Sequence, residues 1–323
     1  RKMKALQCTE LGGPEKLQVN EIDAPEAMPG HVVIDVKSGS INFPDVLMIQ
    51  GLYQFQPPLP FIPGGESAGV ISEVGEGVTK FKEGDKVFAM TGVGAFAEKI
   101  LAAESNCMPI PESMDFDSAA ALSMTYGTSL YALKQRASLQ PGETLLVLGA
   151  SGGVGLAAIE LGKAMGAKVI AAASTQDKID MCLSHGADEG FIYPSSNLDR
   201  EQQKELSNKI KELTGGLGPN VIYDPVGGSY AEPCLRSIAW EGRYLVIGFA
   251  AGADQIPKMP LNLTLLKGCQ IVGVFWGAWV GQFPDENKKN FDELFNLYSE
   301  GKIKPEVSQK YSLEDSALSL IHI

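Results

Sequence analysis

From Leu145 to Ser174 the chain reads LLVLGASGGVGLAAIELGKAMGAKVIAAAS. Two apolar runs, TLLVLG and KVIAAAS, bracket a stretch whose apolar residues recur at helical spacing, and a cluster of glycines joins the first run to that stretch. Strand, glycine turn, helix, strand is the order of a βαβ unit, so a parallel sheet is expected here. In the register Ala150-Ser151-Gly152-Gly153-Val154-Gly155, Gly152 lets the backbone approach a pyrophosphate and Gly155 lets the helix pack against the strand. The helix then offers free N–H groups and the positive end of its dipole to the phosphates. Ala150 stands where the usual fingerprint has its first glycine, and Gly149 precedes it. The turn predicts dinucleotide binding; the alternative is a tight turn without a ligand.

The second run ends in AAASTQDK. A site for the 2′-hydroxyl form of the cofactor places Asp or Glu near this point, and that acid would repel a 2′-phosphate. Ser174 and Thr175 instead offer hydroxyl donors and Lys178 a charge, which favours NADP(H). Asp177, beside Lys178, argues the other way, and Lys178 also reads as an ordinary exposed helix lysine.

Around this unit the chain has two characters. Residues 1 to about 120 carry short strands and Gly-rich turns, as in HVVIDVKSGSIN and SAGVISEVGEGVTKFKEGDKVFAM, which suggests a barrel-like β domain. After Asp117, which with Ser118 is a candidate helix cap, strand-like and helical runs alternate up to CQIVGVF, as a parallel sheet covered on both faces requires. A helix, DENKKNFDELFNLYSEG, and a short strand around IKPEVSQKYS are expected beyond residue 277. The expected division is a β-rich domain over 1–120 and 277–323 and a dinucleotide-binding domain over 121–276. A length of 323 residues suffices for two cores. The net charge of −12 argues against nucleic acid or an anionic membrane as partner. QIVGVFWGAWVG is too short to span a bilayer and reads as a buried strand and its exit. Cys8, Cys107, Cys182, Cys234 and Cys269 are scattered and odd in number, which suits reduced thiols inside a cell, in cytoplasm or mitochondrial matrix. The first residue is Arg1, so the sequence is expected to begin inside a longer chain or after processing.

The motifs INFPDVLMIQGLY, PFIPGGESAGVISEVGEGV, GDKVFA, GASGGVG and DPVGG occur in this order along nearly the whole chain. Together they resemble the medium-chain dehydrogenase/reductase superfamily and, within it, the zinc-free quinone oxidoreductases of the zeta-crystallin group. The resemblance implies an α/β chain with a doubly wound parallel-sheet (Rossmann) cofactor domain and a β-rich, GroES-like barrel catalytic domain. Zinc alcohol dehydrogenases, which also resemble this chain, place Cys where Asn42 stands and His where Gly65 stands; Glu66 alone does not make a zinc site. His31, His185 and His322 have no metal-ligand spacing, so no metal is expected.

By the same resemblance, Asn42 and Thr128 meet the nicotinamide end of the cofactor. Gly152, Gly153, Val154 and Gly155 meet the pyrophosphate, and Ser174, Lys178 and Tyr193 surround the 2′-phosphate. Gly248, Phe249 and Ala250 end one strand on the cofactor side, and Phe275, Trp276 and Gly277 end the next; Tyr193, Phe275 and Trp276 read equally well as packing residues. The implied reaction is NADPH-dependent reduction of a quinone by hydride or single-electron transfer, with Tyr53 hydrogen-bonding the acceptor oxygen. A double-bond reductase acting on enones or alkenals, with Asn42 and Tyr53 stabilising the enolate, and an NADPH-binding protein of low activity are the alternatives. Leu47 replaces a Tyr common in the group, which makes the acceptor pocket more apolar. The resemblance also implies a homodimer paired through the QIVGVFWGAW strand. Members continue past the SLEDSALSLI helix into a final strand, roughly GKVVL. This sequence stops at Ile323, so an exposed edge and lower stability are expected of the β-rich domain.

Overall fold

The computed structural model describes residues 1–195, 197–307 and 310–316. The chain forms two compact units, one of Arg1–Met124 with the described residues from Pro305 onward, the other of Thr125–Lys304.

The first unit is antiparallel. Strands β1 (Lys2–Gln7) and β2 (Gln18–Asp23) pair with each other. Strands β3 (His31–Ser40), β4 (Glu66–Val74), β5 (Lys86–Met90), β6 (Lys99–Ala103) and β7 (Cys107–Pro109) form a five-stranded sheet in the order β6-β3-β4-β5-β7. Val32, Ile34, Ile71, Val87 and Ala89 fill one core, and Leu6, Met48, Ile49, Phe61 and Phe96 a second. The register of β3 against β4 shifts at Val33/Ile34 and at Val36/Ser38, and such bulges bend a strand. The end of β3 leads into helix α1 (Phe43–Ile49), which Asn42 caps.

Helix α2 (Phe116–Leu130) follows. The Asp115 carboxylate accepts the Ser118 N–H at 2.6 Å, so Asp115 caps this helix in place of the expected Asp117 or Ser118. The second unit then lays six parallel strands in the order β10-β9-β8-β11-β12-β13. These are β8 (Thr144–Val147), β9 (Lys168–Ala173), β10 (Glu189–Ile192), β11 (Val221–Asp224), β12 (Arg243–Val246) and β13 (Gln270–Gly273). Helices α3 (Gly153–Ala164), α4 (Gln176–Ser184), α5 (Arg200–Leu213), α6 (Ala231–Arg236) and α7 (Asn262–Lys267) connect them. The central strands are apolar on both faces, and Leu145, Leu146, Val147, Val221, Ile222 and Tyr223 are wholly buried, as a doubly covered sheet demands. Strand order reverses at β8, whose neighbours are β9 and β11; the crevice beyond the carboxyl ends of strands at such a point is where ligands bind in this architecture.

Three expectations need correction. The last strand ends at Gly273, and Trp276 opens helix α8 (Trp276–Gln282), so Phe275, Trp276 and Gly277 do not end a strand. Residues 277–304 belong with the parallel-sheet unit. Helix α9 (Pro284–Ser299) buries Phe291 and Leu294, Gln135 and Asn290 exchange side-chain hydrogen bonds at 2.9 and 3.0 Å, and Lys134 meets Glu293 at 2.7 Å. The described residues of IKPEVSQKYS form no strand, and the second half of SLEDSALSLI lies outside the described residues.

Candidate functional site

The glycine turn begins where β8 stops. Leu148 donates its N–H to the Tyr223 carbonyl, which holds the turn to β11, and Ala150 donates to the Ala172 carbonyl, which holds it to β9. Gly149 lies between them with φ +53°, a left-handed conformation that suits glycine. Its carbonyl accepts the Gly152 N–H at 3.1 Å. A Cβ on Gly155 would sit 2.7 Å from the carbonyl oxygens of both Gly149 and Ala150, so α3 can start this close to β8 only without a side chain there. Gly152 spends its own amide inside the turn. Among the described residues no carbonyl is recorded as accepting the amides of Gly153, Val154 or Gly155, which leaves them at the positive end of α3 as donors for an anion.

The turn forms one wall of a cavity of about 410 Å³. Gly149 and Ser151 line it from the turn, and Ser174 and Lys178 from the end of β9 and the start of α4. Tyr193 closes it beyond β10, and Val226, Tyr230 and Ala250 face it from beyond β11 and β12. Lys178 Nζ donates to Ser174 Oγ at 3.1 Å, and Thr175 caps α4 by accepting the Lys178 N–H at 3.3 Å. An ammonium, a hydroxyl and a helix N-terminus thus meet at one end of the cavity. Among the described residues no acidic side chain lines it, and Asp177 makes no ion pair with Lys178.

Tyr193 is 6% exposed and accepts the Gly149 N–H on its hydroxyl oxygen at 2.9 Å. Its ring packs on Tyr230 at 4.5 Å between centroids and meets Phe191 edge-on. Burial pushes its pKa up, so the phenol stays neutral. The Tyr230 hydroxyl is committed elsewhere, donating to the Pro194 carbonyl.

The other expected residues are more dispersed. Ala250 lines the cavity, its N–H held by the Pro225 carbonyl, while Gly248 and Phe249 only precede it on the same turn. Phe275 and Gly277 do not line the cavity, and Phe275 is exposed. Trp276 is core: its ring covers Gly127, its Nε1 donates to Asn287 Oδ1 at 3.2 Å, and Phe291 packs beside it. Thr128 is half-buried on α2, next to Ser129, which donates to the Val154 carbonyl at 3.1 Å and accepts from the Tyr223 hydroxyl at 2.7 Å. Sequence reasoning missed Ser195, Asn197, Val226, Tyr230, Ala251 and Gln255 as lining residues. The signal for Val226 and Tyr230 is the run DPVGGSY. There Asp224 turns its carboxylate back onto the amides of Val226 and Gly227 at 2.8 and 2.9 Å, while Tyr244 donates to its other oxygen.

In the antiparallel unit, Asn42 begins a second polar group. Its N–H donates to Asp45 Oδ2 at 2.8 Å, and its Nδ2 reaches Ser40 Oγ at 3.4 Å, which in turn donates to Glu66 Oε2 at 2.6 Å. Asp45 and Glu66 are both buried, and among the described residues neither has a cationic partner. Burial pushes Asp45 up to about 7, the charge of Glu66 adding to the effect and the N–H groups of Asn42, Gly64 and Gly65 opposing it. Burial also raises Glu66, against the hydrogen bond from Ser40. Tyr53 is half-buried against the Met48, Ile49 and Phe61 cluster, its phenol raised by burial and by Asp45. Asn42 and Gly65 supply no thiolate or imidazole, so this corner does not fit a catalytic zinc. Among the described residues no three His, Cys, Asp or Glu side chains gather as a metal site, and no helix is long and apolar enough to cross a membrane.

Two family profiles match the chain: an alcohol dehydrogenase GroES-like domain over residues 28–112 and a zinc-binding dehydrogenase over 153–296. A quinone oxidoreductase-like protein 2 homolog of Nematostella vectensis is 38% identical over 96% of this chain and 83% of its own length. Among solved structures, a probable oxidoreductase from Mycobacterium abscessus superposes with a TM-score of 0.88 at 36% identity, over 99% of this chain and 95% of the other. An Escherichia coli quinone oxidoreductase complexed with NADPH superposes with a TM-score of 0.86 at 30% identity, over 99% and 95% of the two chains.

Proposed function

The chain belongs to the quinone oxidoreductase group of the medium-chain dehydrogenase/reductase superfamily, and from that premise we propose that it is an NADPH-dependent oxidoreductase that reduces quinones without zinc. The observation that carries the reading is the cavity running from the glycine turn to the Ser174–Lys178 pair with no acid along it. The amides of Gly153, Val154 and Gly155 bind the pyrophosphate. Ser174 and Lys178 receive the 2′-phosphate, where a carboxylate would repel it. Asn42 and Thr128 are assigned to the nicotinamide end. The bound NADPH supplies the hydride. Tyr53 keeps its proton, since burial raises its pKa, and donates a hydrogen bond to the acceptor oxygen. No strong acid is required, because solvent can protonate a reduced quinone oxygen.

The reading is tested by following NADPH oxidation with matched panels of ortho-quinones and 2-alkenals, on protein whose zinc content has been measured. Turnover of quinones by zinc-free protein is the expected result. Turnover of alkenals alone would replace the quinone by an activated double bond, and NADPH binding without turnover of either panel would leave a nucleotide-binding protein.

A further inference from the structure

We propose that Tyr193 is the positioning residue of the glycine turn, its hydroxyl oxygen holding the Gly149 amide and so fixing the left-handed start from which the phosphate-binding amides are aimed. The inference rests on the NADPH reading, and it departs from the role that resemblance implies for Tyr193, a ligand of the 2′-phosphate. Gly149 is gripped from both sides: its N–H goes to Tyr193 at 2.9 Å and its carbonyl takes the Gly152 amide at 3.1 Å, with φ at +53°. The grip is rigid because the ring is buried between Tyr230 and Phe191. At the 2′-phosphate end the polar groups are Ser174 and Lys178, already bonded to each other. Loss of the Tyr193 hydroxyl would leave the Gly149 amide without its acceptor and free the turn to drift. Every ligand that carries a pyrophosphate should then weaken, whether or not it carries a 2′-phosphate.

Tyr193→Phe keeps the packed ring and removes only the oxygen. NADPH and NADH dissociation constants, and their KM and kcat, are measured for wild type and variant, with a thermal melt as the check of folding. The expected result is that both constants rise together by about fivefold, the equivalent of one lost hydrogen bond, with kcat unchanged. In the ³¹P spectrum of bound NADPH, the pyrophosphate lines shift and the 2′-phosphate line stays. Weakening of NADPH alone, movement of the 2′-phosphate line alone, or unchanged affinity for both nucleotides overturns the assignment. Hydrogen exchange at the Gly149 amide of ligand-free wild type tests the same bond without a variant. Protection supports it, and exchange at the rate of an open loop overturns it, even if neither nucleotide binds and the NADPH reading itself has failed.

Discussion

The glycine turn of the parallel-sheet unit and the Asn42–Glu66 corner of the antiparallel unit are both polar, but they are made of different material. The turn is backbone: its donors are amides at a helix start, braced by the hydroxyls of Tyr193 and Ser129. The corner is side chain: two buried carboxyls joined through Asn42 and Ser40, with no cation among the described residues to balance them. A backbone site tolerates no added atoms and is nearly indifferent to pH. A buried carboxyl tolerates small changes of shape but carries a large electrostatic cost that pH can turn on and off. The two regions should therefore fail in different ways.

The largest effect on cofactor binding is expected at the turn. Gly155→Val places a branched side chain where even a Cβ would lie 2.7 Å from two carbonyl oxygens. Helix α3 must move, and its amides move with it. NADPH binding should weaken roughly a hundredfold, the equivalent of about 3 kcal/mol of overpacking, as calorimetry would read. The loss should be the same at pH 6 and pH 8. A pH-dependent loss, or none, would erase the contrast between the two regions.

At the corner the expected effect is on stability, and its sign follows from the raised pKa. With Asp45 pushed from 3.8 to about 7, the folded protein keeps a proton that the unfolded chain has released across that interval. The stability so gained is complete below pH 4 and is lost as pH climbs through 7. Asp45→Asn cannot ionise. Between pH 4 and pH 8, wild type should therefore lose up to about 4 kcal/mol relative to the variant, measured by denaturant unfolding at a series of pH values. Parallel curves for the two proteins would show that Asp45 ionises normally and that the corner resembles an ordinary solvated surface.

The same contrast explains what could be read before the structure. The turn was legible because its logic is local: Gly155 for the close approach of helix to strand and Ser174 in place of an acid lie within one strand–helix–strand stretch, whereas the left-handed Gly149 is seen only in the structure. Both fold classes followed from periodicity in the same way. The Tyr193–Gly149 bond spans 44 residues, and spacing alone could not show that the phenol reaches the turn and not the phosphate. Trp276 is apolar and follows a strand, so sequence could not separate a strand end from a helix start; what decides is that its ring lies over Gly127, far back in the chain. The amphipathic face of α9 was visible, but such a face does not say which unit it covers. Asp45 stands in the motif INFPDVLMIQGLY, yet its burial and the N–H groups of Gly64 and Gly65 that meet its carboxyl come from later in the chain, where spacing does not show them.

The smallest expected effects lie at the far end of the cavity and separate charge from hydrogen bonding within the cofactor site. Lys178 is exposed, so its attraction for a 2′-phosphate is partly screened by water and salt. Lys178→Ala should lower the preference for NADPH over NADH by about tenfold, and less at high salt. Ser174→Ala should lower it only by about threefold, one neutral hydrogen bond, with little salt dependence. Because Lys178 Nζ is bonded to Ser174 Oγ, the two losses should add to less than their sum in the double variant. Competition binding of NADPH and NADH at two ionic strengths reads all three quantities. Full additivity would mean that the two side chains act apart when the cofactor is bound. An unchanged preference in the Lys178 variant would return the choice of cofactor to the backbone, and the cavity's lack of an acid would then be its only contribution to that choice.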